Sequence, residues 1–299
     1  MKAIVTTPPY SPFLGEVVDH PIVEGIRLNT VMPIKGSLEE TLLSIKETIG
    51  DKDLWIDLKG RQLRIKDYAV PPFTEIRLSH KIKVRTPVTA YFSGGEEYGK
   101  VLAVEENRLI MQDGPARVLG PGESVNIIDP SLEIEGYLTD TDKNYIEVCQ
   151  KLGLNKYMLS FVESQEDIDN FKKLCPNTEI IAKIESKKGL DYITNNYKKD
   201  CTLMAARGDL FIEVGKPHNI LEAMQLIIKK DKKAIVASRI LDSLYRSLTP
   251  SCQDIGDIDS LLRMGYKTFM FGDEICFKRD SIMSGLNLLD AIIQNYKEK

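Results

Sequence analysis

The chain has 299 residues, of which 42% are hydrophobic and 28% are charged, so it can form a large buried core beneath a charged surface. This composition excludes a disordered or fibrous protein. The formal net charge of −4 at pH 7 provides no general positive field for nucleic acid. Five scattered cysteines without a CxxC pair exclude a zinc ribbon or disulfide scaffold and are typical of a reducing compartment. No apolar run approaches the ~20 residues of a membrane helix, and the first residues lack a signal-peptide pattern. We therefore expect a cytoplasmic protein without nucleic-acid or membrane partners.

Eight short apolar runs alternate with amphipathic helical segments along most of the chain. Their continuous apolar character is typical of parallel strands that are covered on both faces. The helical segments include two that begin at the capping patterns of Ser37 and Ser164. Eight strands alternating with helices predict an α/β fold, the (βα)8 TIM barrel. The eight runs are Ala3–Thr6, Gly25–Asn29, Leu54–Leu58, Tyr157–Phe161, Ile180–Ile184, Thr202–Ala206, Ala234–Ala237 and Thr268–Phe271.

The segment between the third strand and its helix has a different pattern. Residues 65–128 contain no helical pattern, but five strand patterns separated by turn signals such as Pro71-Pro72 and Gly94-Gly95. They predict a small all-β lid domain inserted after strand 3, over the catalytic face of a barrel formed by residues 1–64 and 129–299. The strand patterns are Ile76–Leu78, Val88–Tyr91, Lys100–Val104, Arg108–Met111 and Ser124–Ile127.

Polar residues follow seven of the predicted barrel strands at the point where each strand ends. Active sites of TIM barrels lie on this face, so these residues are candidates for function. In chain order they are Arg27, Asn29, Asp57, Lys59, Arg64, Ser160, Lys183, Glu185, Arg207, Gly208, Asp209, Ser238 and Glu274.

Lys183 and Glu185 are two residues apart on one strand, so both side chains project to the same side. A lysine that points into a barrel is costly unless it is paired. Glu185 and Asp209, from adjacent strands, suit a hard cation such as Mg²⁺. With Arg27 beside them, the set suits a phosphate or an enolate, because it stabilises negative charge that develops on oxygen. The alternative is a network of ion pairs that only caps the barrel.

Several segments at these strand ends resemble motifs of the pyruvate kinase family, in the family's order. They are Arg27-Leu28-Asn29, Asp57-Leu58-Lys59-Gly60 with Arg64, Ala182-Lys183-Ile184-Glu185 with Gly189, Met204–Leu210, Ala237–Leu244, Pro250–Asp257 and Gly265–Glu274. The resemblance implies a transferase that moves a phosphoryl group between phosphoenolpyruvate and a nucleoside diphosphate by way of enolpyruvate. It implies a glycolytic reaction with pyruvate, ADP and ATP as the other ligands.

The resemblance also implies roles for individual residues. Lys183 and Arg27 would be catalytic and bind the substrate phosphate, and Ser238 would replace a threonine that assists protonation of the enolate. The substrate would also be bound at Ala206, Gly208 and Asp209. Glu185 and Asp209 would hold Mg²⁺ (or Mn²⁺), Asn29 and Arg64 would bind the nucleotide, and Asn29 with Asp57 would form a residual monovalent-cation site.

The chain also departs from the family pattern. Val31 and Leu58 stand where two oxygen ligands of a monovalent cation are usual, so we do not expect a K⁺ requirement in the usual form. Gln62 replaces the Glu or Lys associated with K⁺ dependence, and Met32 replaces a histidine near the nucleotide. A lysine of the lid is missing near Glu123 and Ser124.

The lid is short, and the sequence ends after the eighth barrel helix, where the family has a C-terminal domain. We therefore expect a monomer or a barrel-to-barrel dimer. Because the enolate and metal half of the site is kept while the nucleotide half is eroded, two alternatives to a pyruvate kinase-like enzyme stay open. One is a Mg²⁺-dependent lyase or aldolase that forms an enolate from a pyruvate- or oxaloacetate-like acid without nucleotide. The other is a non-catalytic relative that binds a keto acid.

Overall fold

A computed structural model describes residues 1–70 and 75–297 of the chain. The strands are β1 (Lys2–Thr6), β2 (Val23–Asn29), β3 (Asp53–Leu58), β4 (Glu75–Arg77), β5 (Ile82–Lys83), β6 (Val88–Phe92), β7 (Glu97–Glu105), β8 (Arg108–Asp113), β9 (Val125–Ile127), β10 (Glu133–Ile134), β11 (Lys156–Leu159), β12 (Glu179–Ile184), β13 (Thr202–Ala206), β14 (Ile235–Ala237) and β15 (Thr268–Phe271). The helices are α1 (Leu14–Asp19), α2 (Leu38–Ile49), α3 (Asp140–Lys151), α4 (Gln165–Leu174), α5 (Lys187–Asn195), α6 (Arg207–Glu213), α7 (Asn219–Lys230), α8 (Ser243–Arg246), α9 (Cys252–Met264), α10 (Asp273–Cys276) and α11 (Arg279–Lys297), with one 3₁₀ turn at Ser93–Gly95.

Eight parallel strands close into a barrel in the order β1-β2-β3-β11-β12-β13-β14-β15, and β15 pairs with β1. The predicted α/β barrel is therefore confirmed. The strands lie close to their predicted positions, with one clear difference at the fourth. β11 ends at Leu159 because Phe161 adopts a left-handed conformation, with φ of 51°.

Apolar residues on the inward face of the strands fill the barrel interior. They form a cluster of their own, which includes Ile4, Trp55, Met158, Ile181 and Met204. A larger cluster packs the outward strand face against the surrounding helices. Because strand side chains alternate with a period of two, the residues two positions after the interior ones point to the same side, at the C-terminal ends of the strands.

The predicted all-β lid is also present after β3. Its antiparallel sheet has the order β4-β8-β7-β6-β9 and covers a separate hydrophobic cluster. The short pair of β5 with β10 was not predicted. The predicted turn at Pro71-Pro72 lies outside the described residues, and the domain boundaries at residues 64–65 and 128–129 remain predictions.

Two barrel helices begin at complete capping boxes. Ser164 accepts a hydrogen bond from the backbone N–H of Asp167, whose carboxylate accepts one from the backbone N–H of Ser164, and Thr139 pairs with Asp142 in the same way. These caps fix the start of α4 and α3 beside the ends of β11 and the lid. In the described ranges, none of the helices has the length and apolarity needed to cross a membrane.

Candidate active site

Polar side chains occupy the barrel where its apolar interior ends. Asp57 lies two residues after Trp55, Ser160 two after Met158, and Lys183 two after Ile181, so each continues the inward face of its strand. Asp57, Ser160 and Lys183 are all buried. The alternation of the strands therefore brings Asp57 together with Ser160 and Lys183, which follow it in the chain by 103 and 126 positions.

The fully buried carboxylate of Asp57 is shared by three cationic side chains. Its Oδ2 accepts hydrogen bonds from Arg27 Nε and Lys59 Nζ, both at 2.9 Å, and its Oδ1 lies 3.3 Å from Lys183 Nζ. Burial acts to raise the pKa of Asp57, but the positive charges of Lys183, Lys59 and Arg27 hold that pKa well below its usual value. Asp57 thus stays charged and fixes the positions of all three cations.

Arg27 is also fixed from a second side, by Asp273. One of its terminal nitrogens donates to Asp273 Oδ1 and to Thr6 Oγ1, each at 2.9 Å. Burial alone would lower the pKa of Arg27, but Asp273 and Asp57 raise it above its usual value. Glu274, the residue predicted at this strand end, is exposed, and its neighbour Asp273 makes the contacts instead.

Lys183 contacts the ends of two other strands, at Asp57 of β3 and Ser160 after β11, and the buried carboxylate of Glu185. Its Nζ donates to Ser160 Oγ at 2.8 Å and lies 3.2 Å from Glu185 Oε1. Glu185 Oε2 accepts the backbone N–H of Phe161 at 2.8 Å. Burial raises the pKa of Glu185, and the negative charge of Asp209 raises it further. The positive charge of Lys183 opposes this shift. Lys183 and Glu185 are thus in contact, and Asp209 lies close enough for its charge to affect the pKa of both.

Glu185 and Asp209 fit a divalent cation. Both supply hard oxygen donors, and they lie close enough for the charge of one to affect the pKa of the other. Beside Asp209, the buried Oδ1 of Asn126 has no hydrogen-bond partner among the described residues. The described part of the chain contains no group of three or more His, Cys, Asp or Glu side chains arranged to hold a metal. Substrate and water oxygens would therefore complete the coordination of Mg²⁺.

Asn29 and Asp57 do not fit a monovalent cation. Asp57 already faces three positive charges. Asn29 Oδ1 accepts the backbone N–H of Val31 at 3.3 Å, and its amide nitrogen donates to Asp273 at 3.0 Å. With no oxygen in the side chains of Val31 and Leu58, this pair lacks free ligands for K⁺.

The predicted nucleotide residue Arg64 is occupied inside the protein. Its guanidinium donates to Gln62 Oε1, at 2.5 Å for the closer nitrogen, and to the backbone carbonyl of Gly122 at 2.5 Å. Burial lowers the pKa of Arg64, and Asp209 opposes that shift. Both predicted nucleotide-binding residues therefore already donate to groups within the protein, Asn29 to Asp273 and Arg64 to Gln62 and Gly122.

Ser238 follows β14 in a turn with left-handed backbone. The φ angles of Ser238, Arg239 and Leu241 are 66°, 54° and 55°, a conformation that costs non-glycine residues energy and is often found at functional sites. Arg207 stabilises the turn by donating to the carbonyls of Ser238 and Arg239, at 3.0 and 2.6 Å, while it forms a two-pronged ion pair with Asp257.

Gly208 faces the Ser238 side chain. A Cβ atom built on Gly208 would lie 3.5 Å from Ser238 Oγ. Ala206 and Asp209 flank it, at the N-cap and in the first turn of α6. The predicted substrate-binding residues of strands 6 and 7 are therefore neighbours.

Two buried amides that sequence reasoning did not assign to the site hold Asp209. Gln62 Nε2 donates to Asp209 Oδ2 at 2.7 Å, and Asn126 Nδ2 donates to Oδ1 at 3.2 Å. Asn126 also donates to Glu213 at 3.0 Å. Sequence spacing could not find these contacts, because they join the barrel to both ends of the lid.

A cavity of about 1220 Å³ opens beside the lid connections. It is lined by residues such as Arg61, Phe161 and Lys187, and it reaches the candidate site through Asn126 and Glu213. Lys183, Glu185, Asp209 and Arg27 are not among the residues that line it.

Comparison with known proteins identifies the class to which this fold and site belong. The sequence model of the family described as "Pyruvate kinase, barrel domain" matches residues 82–276, more than half of the chain. The chain belongs to the pyruvate kinase family.

Its relatives are distant, and many are longer. Pyruvate kinase of Thermoplasma acidophilum is 26% identical over an alignment that covers 83% of this chain and 49% of the relative. Pyruvate kinase of Methanocaldococcus jannaschii is 24% identical, with 93% of this chain and 72% of the relative covered. The chain thus spans about half the length of the first of these relatives.

A solved structure shows the same fold. The crystal structure of Cryptosporidium parvum pyruvate kinase superposes with a TM-score of 0.78 over 97% of this chain and 69% of that chain, at 19% sequence identity.

Proposed function

We propose that this protein transfers a phosphoryl group between phosphoenolpyruvate and a nucleoside diphosphate, by way of enolpyruvate. The observation that carries the proposal is the position of Lys183, whose Nζ contacts Ser160 Oγ at 2.8 Å and lies 3.2 Å from Glu185 at the end of the barrel. The charge of this lysine is maintained, because Asp57 and Glu185 raise its pKa against the effect of burial. A permanent positive charge at this place stabilises negative charge on the transferring phosphoryl group and on the enolate oxygen.

The other residues have complementary roles in the proposal. Arg27 binds the substrate phosphate, held in orientation by Asp57 and Asp273. The backbone N–H groups of Gly208 and Asp209 bind the substrate carboxylate, because the first turn of a helix leaves such groups without partners inside the helix. Glu185 and Asp209 would hold Mg²⁺, which when bound would further stabilise the negative charge. After the phosphoryl group has left, the hydroxyl of Ser238 assists delivery of a proton to enolpyruvate, which gives pyruvate.

Phosphorus NMR tests the proposal directly. Phosphoenolpyruvate, Mg²⁺ and ADP are incubated with the protein, with and without K⁺, and a Lys183→Met variant serves as the matched control. We expect ATP signals with the wild-type protein, no dependence on K⁺ because Asp57 already faces three cations, and no ATP with the variant. Unchanged phosphoenolpyruvate with wild-type protein would contradict phosphoryl transfer to ADP.

The occupied state of Arg64 and Asn29 favours a second candidate, an enolate-forming enzyme that needs no nucleotide. Both residues donate to groups within the protein, and Glu123 stands near the position of a family lysine and bonds to Arg117 and Ser93 instead. Mg²⁺-dependent exchange of the methyl protons of pyruvate in heavy water, without nucleotide, combined with no ATP formation, would support this candidate over the first.

A further inference from the structure

We propose that Gln62 and Asn126 are positioning residues that orient the carboxylate of Asp209 and couple its affinity for a divalent cation to the lid. The inference rests on the proposed function, in which Asp209 is a metal ligand. Each carboxylate oxygen has its own amide donor, with Gln62 Nε2 at 2.7 Å from Oδ2 and Asn126 Nδ2 at 3.2 Å from Oδ1. Both amide residues are only 3% exposed.

The chemistry of the two donors suits a metal ligand. No Lys, Arg or His nitrogen of residues 1–70 and 75–297 forms an ion pair with Asp209, whereas Asp57 has three cationic partners. A neutral amide fixes the orientation of a carboxylate without cancelling its charge, so the charge is left for a bound cation. Groups that orient metal ligands in this way contribute strongly to affinity, and their loss typically weakens binding by about 10–100-fold.

The two amides belong to the two connections between barrel and lid. Gln62 follows β3 on the way into the lid, and Asn126 lies in β9 on the way out. The two connections are joined by a backbone bridge between Arg64 and Ser124. Asp209 is therefore held by both connections at once.

Further contacts extend this link into the lid itself. Gln62 Oε1 accepts two hydrogen bonds from Arg64, which donates to the carbonyl of Gly122 at 2.5 Å. Gly95, in the lid, lies against Ile212 of α6, the helix that carries Asp209, since a Cβ on Gly95 would be 3.3 Å from Ile212 Cδ1. A displacement of the lid would therefore move the donors relative to the carboxylate that they orient.

Binding of Mn²⁺ alone, followed by calorimetry, tests the orientation. Gln62→Met and Asn126→Leu remove the donors at similar side-chain size, and Gln150→Met makes the same chemical change at an exposed position of α3. We expect the affinity for Mn²⁺ to fall at least about 10-fold in each of the first two variants and to stay unchanged in Gln150→Met. Asp209→Asn removes the proposed metal ligand itself and should abolish Mn²⁺ binding.

Hydrogen exchange of the wild-type protein and of Gln62→Met, with and without Mn²⁺, tests the coupling to the lid. We expect Mn²⁺ to slow exchange at residues 62–65 and 122–126 of the wild-type protein, and this slowing to be lost in Gln62→Met at saturating Mn²⁺. A purely structural role for Gln62 would lower stability without removing this response.

The outcomes separate this inference from the proposed function. Loss of Mn²⁺ binding in Asp209→Asn, with affinity within twofold of wild type in Gln62→Met and Asn126→Leu, would overturn the inference and leave the metal site intact. If Mn²⁺ binding left the hydrogen exchange of residues 62–65 and 122–126 unchanged in the wild-type protein, the coupling would be overturned. This result needs no variant, so it holds even if a variant failed to fold. Absence of Mn²⁺ binding by the wild-type protein would overturn both this inference and the metal ligands of the proposed function.

Discussion

Charge at the candidate site is organised around one carboxylate, that of Asp57. Arg27, Lys59 and Lys183 all contact it, and burial lowers the pKa of Lys59 to about 7 despite the opposing charge of Asp57. Removing one cation leaves two others on Asp57, but removing Lys183 also takes the ion-pair partner away from the buried carboxylate of Glu185. Removing Asp57 would leave three buried cations without their common partner, a change of the kind that costs several kcal/mol.

The central role of Lys183 predicts the effect of replacing it. Lys183→Met should reduce phosphoryl transfer at least about 10²-fold, because it removes a preorganised charge from the site of developing negative charge. The fold should be kept, since Arg27 and Lys59 still neutralise Asp57, and Glu185, whose pKa is raised by burial, takes up a proton when its partner is lost. Rates from phosphorus NMR and urea unfolding measure the two effects, and Lys173→Met at an exposed position of α4 is the control. A variant as active as the wild type would refute the role of Lys183.

The raised pKa of Glu213 leads us to expect that the stability of the fold depends on pH. Burial raises its pKa to about 7, and Asp209 adds to the shift against the hydrogen bond from Asn126. Between pH 4.5 and pH 7 the folded chain keeps a proton that the unfolded chain loses, so this group lowers stability as pH rises through that window. Glu213→Gln should match wild type near pH 4.5 and gain about 1–2 kcal/mol at pH 8, a value reduced for partial exposure.

Urea unfolding of wild type and Glu213→Gln between pH 5 and pH 8 checks this expectation. The difference in the free energy of unfolding should grow with pH up to about 7 and then level off. A difference that is constant across this range would show that Glu213 titrates normally.

The barrel strands place the site through their period of two. Two residues after Trp55 the same face carries Asp57, and two residues after Ile181 it carries Lys183. The apolar interior therefore gives way to a polar cluster over two residues of each strand. This could be predicted from the sequence, because buried parallel strands are continuous apolar runs. The end of β11 could not be predicted, because it is set by the left-handed conformation of Phe161. That conformation depends on tertiary contacts such as the hydrogen bond from the backbone N–H of Phe161 to Glu185.

Candidate site residues on the strands could be predicted better than those on the connections. Lys183, Glu185, Asp57 and Arg27 meet because barrel closure fixes their positions. The contacts of Gln62 and Asn126 with Asp209 depend on how the lid folds back, over the 63 positions that separate the two amides, and no local pattern encodes them. The role of Asp273, beside the predicted Glu274, depends on the rotation of a single turn after β15.

The turn after β3 requires a glycine at position 60. Gly60 has φ of 52°, and a Cβ atom there would lie 2.7 Å from the carbonyl oxygen of Ser160. Gly60→Ala should therefore lower the free energy of unfolding by at least about 2 kcal/mol, from the left-handed backbone and the clash together. Gly36→Ala is the matched control, because Gly36 also has a positive φ of 85° but its nearest neighbour would be 3.9 Å away. Equal losses in the two variants, measured by urea unfolding, would contradict a role for the close approach.

Barrel and lid form two hydrophobic clusters of unequal size. The lid cluster includes Phe92, Val101 and Leu109, and also Leu63, which precedes the predicted boundary at residue 65. The barrel cluster involves all eight strands and the helices around them. We propose residues 65–128 as a unit that opens separately from residues 1–64 and 129–297, because the smaller core has less apolar surface to lose on opening.

This difference predicts separate levels of protection in native-state hydrogen exchange. Amides of β6 and β7 in the lid should exchange through an opening at least about 2 kcal/mol lower in free energy than amides of β12 and β13, which should exchange only in global unfolding. Measured in increasing urea below the unfolding transition, the lid amides should also show a smaller dependence on urea, because their opening exposes less surface. If all four strands exchanged with one free energy and one urea dependence, lid and barrel would unfold as a single cooperative unit. The contacts of Gln62 and Asn126 with Asp209 would then be part of the global fold, and the lid could not move independently to regulate the carboxylate.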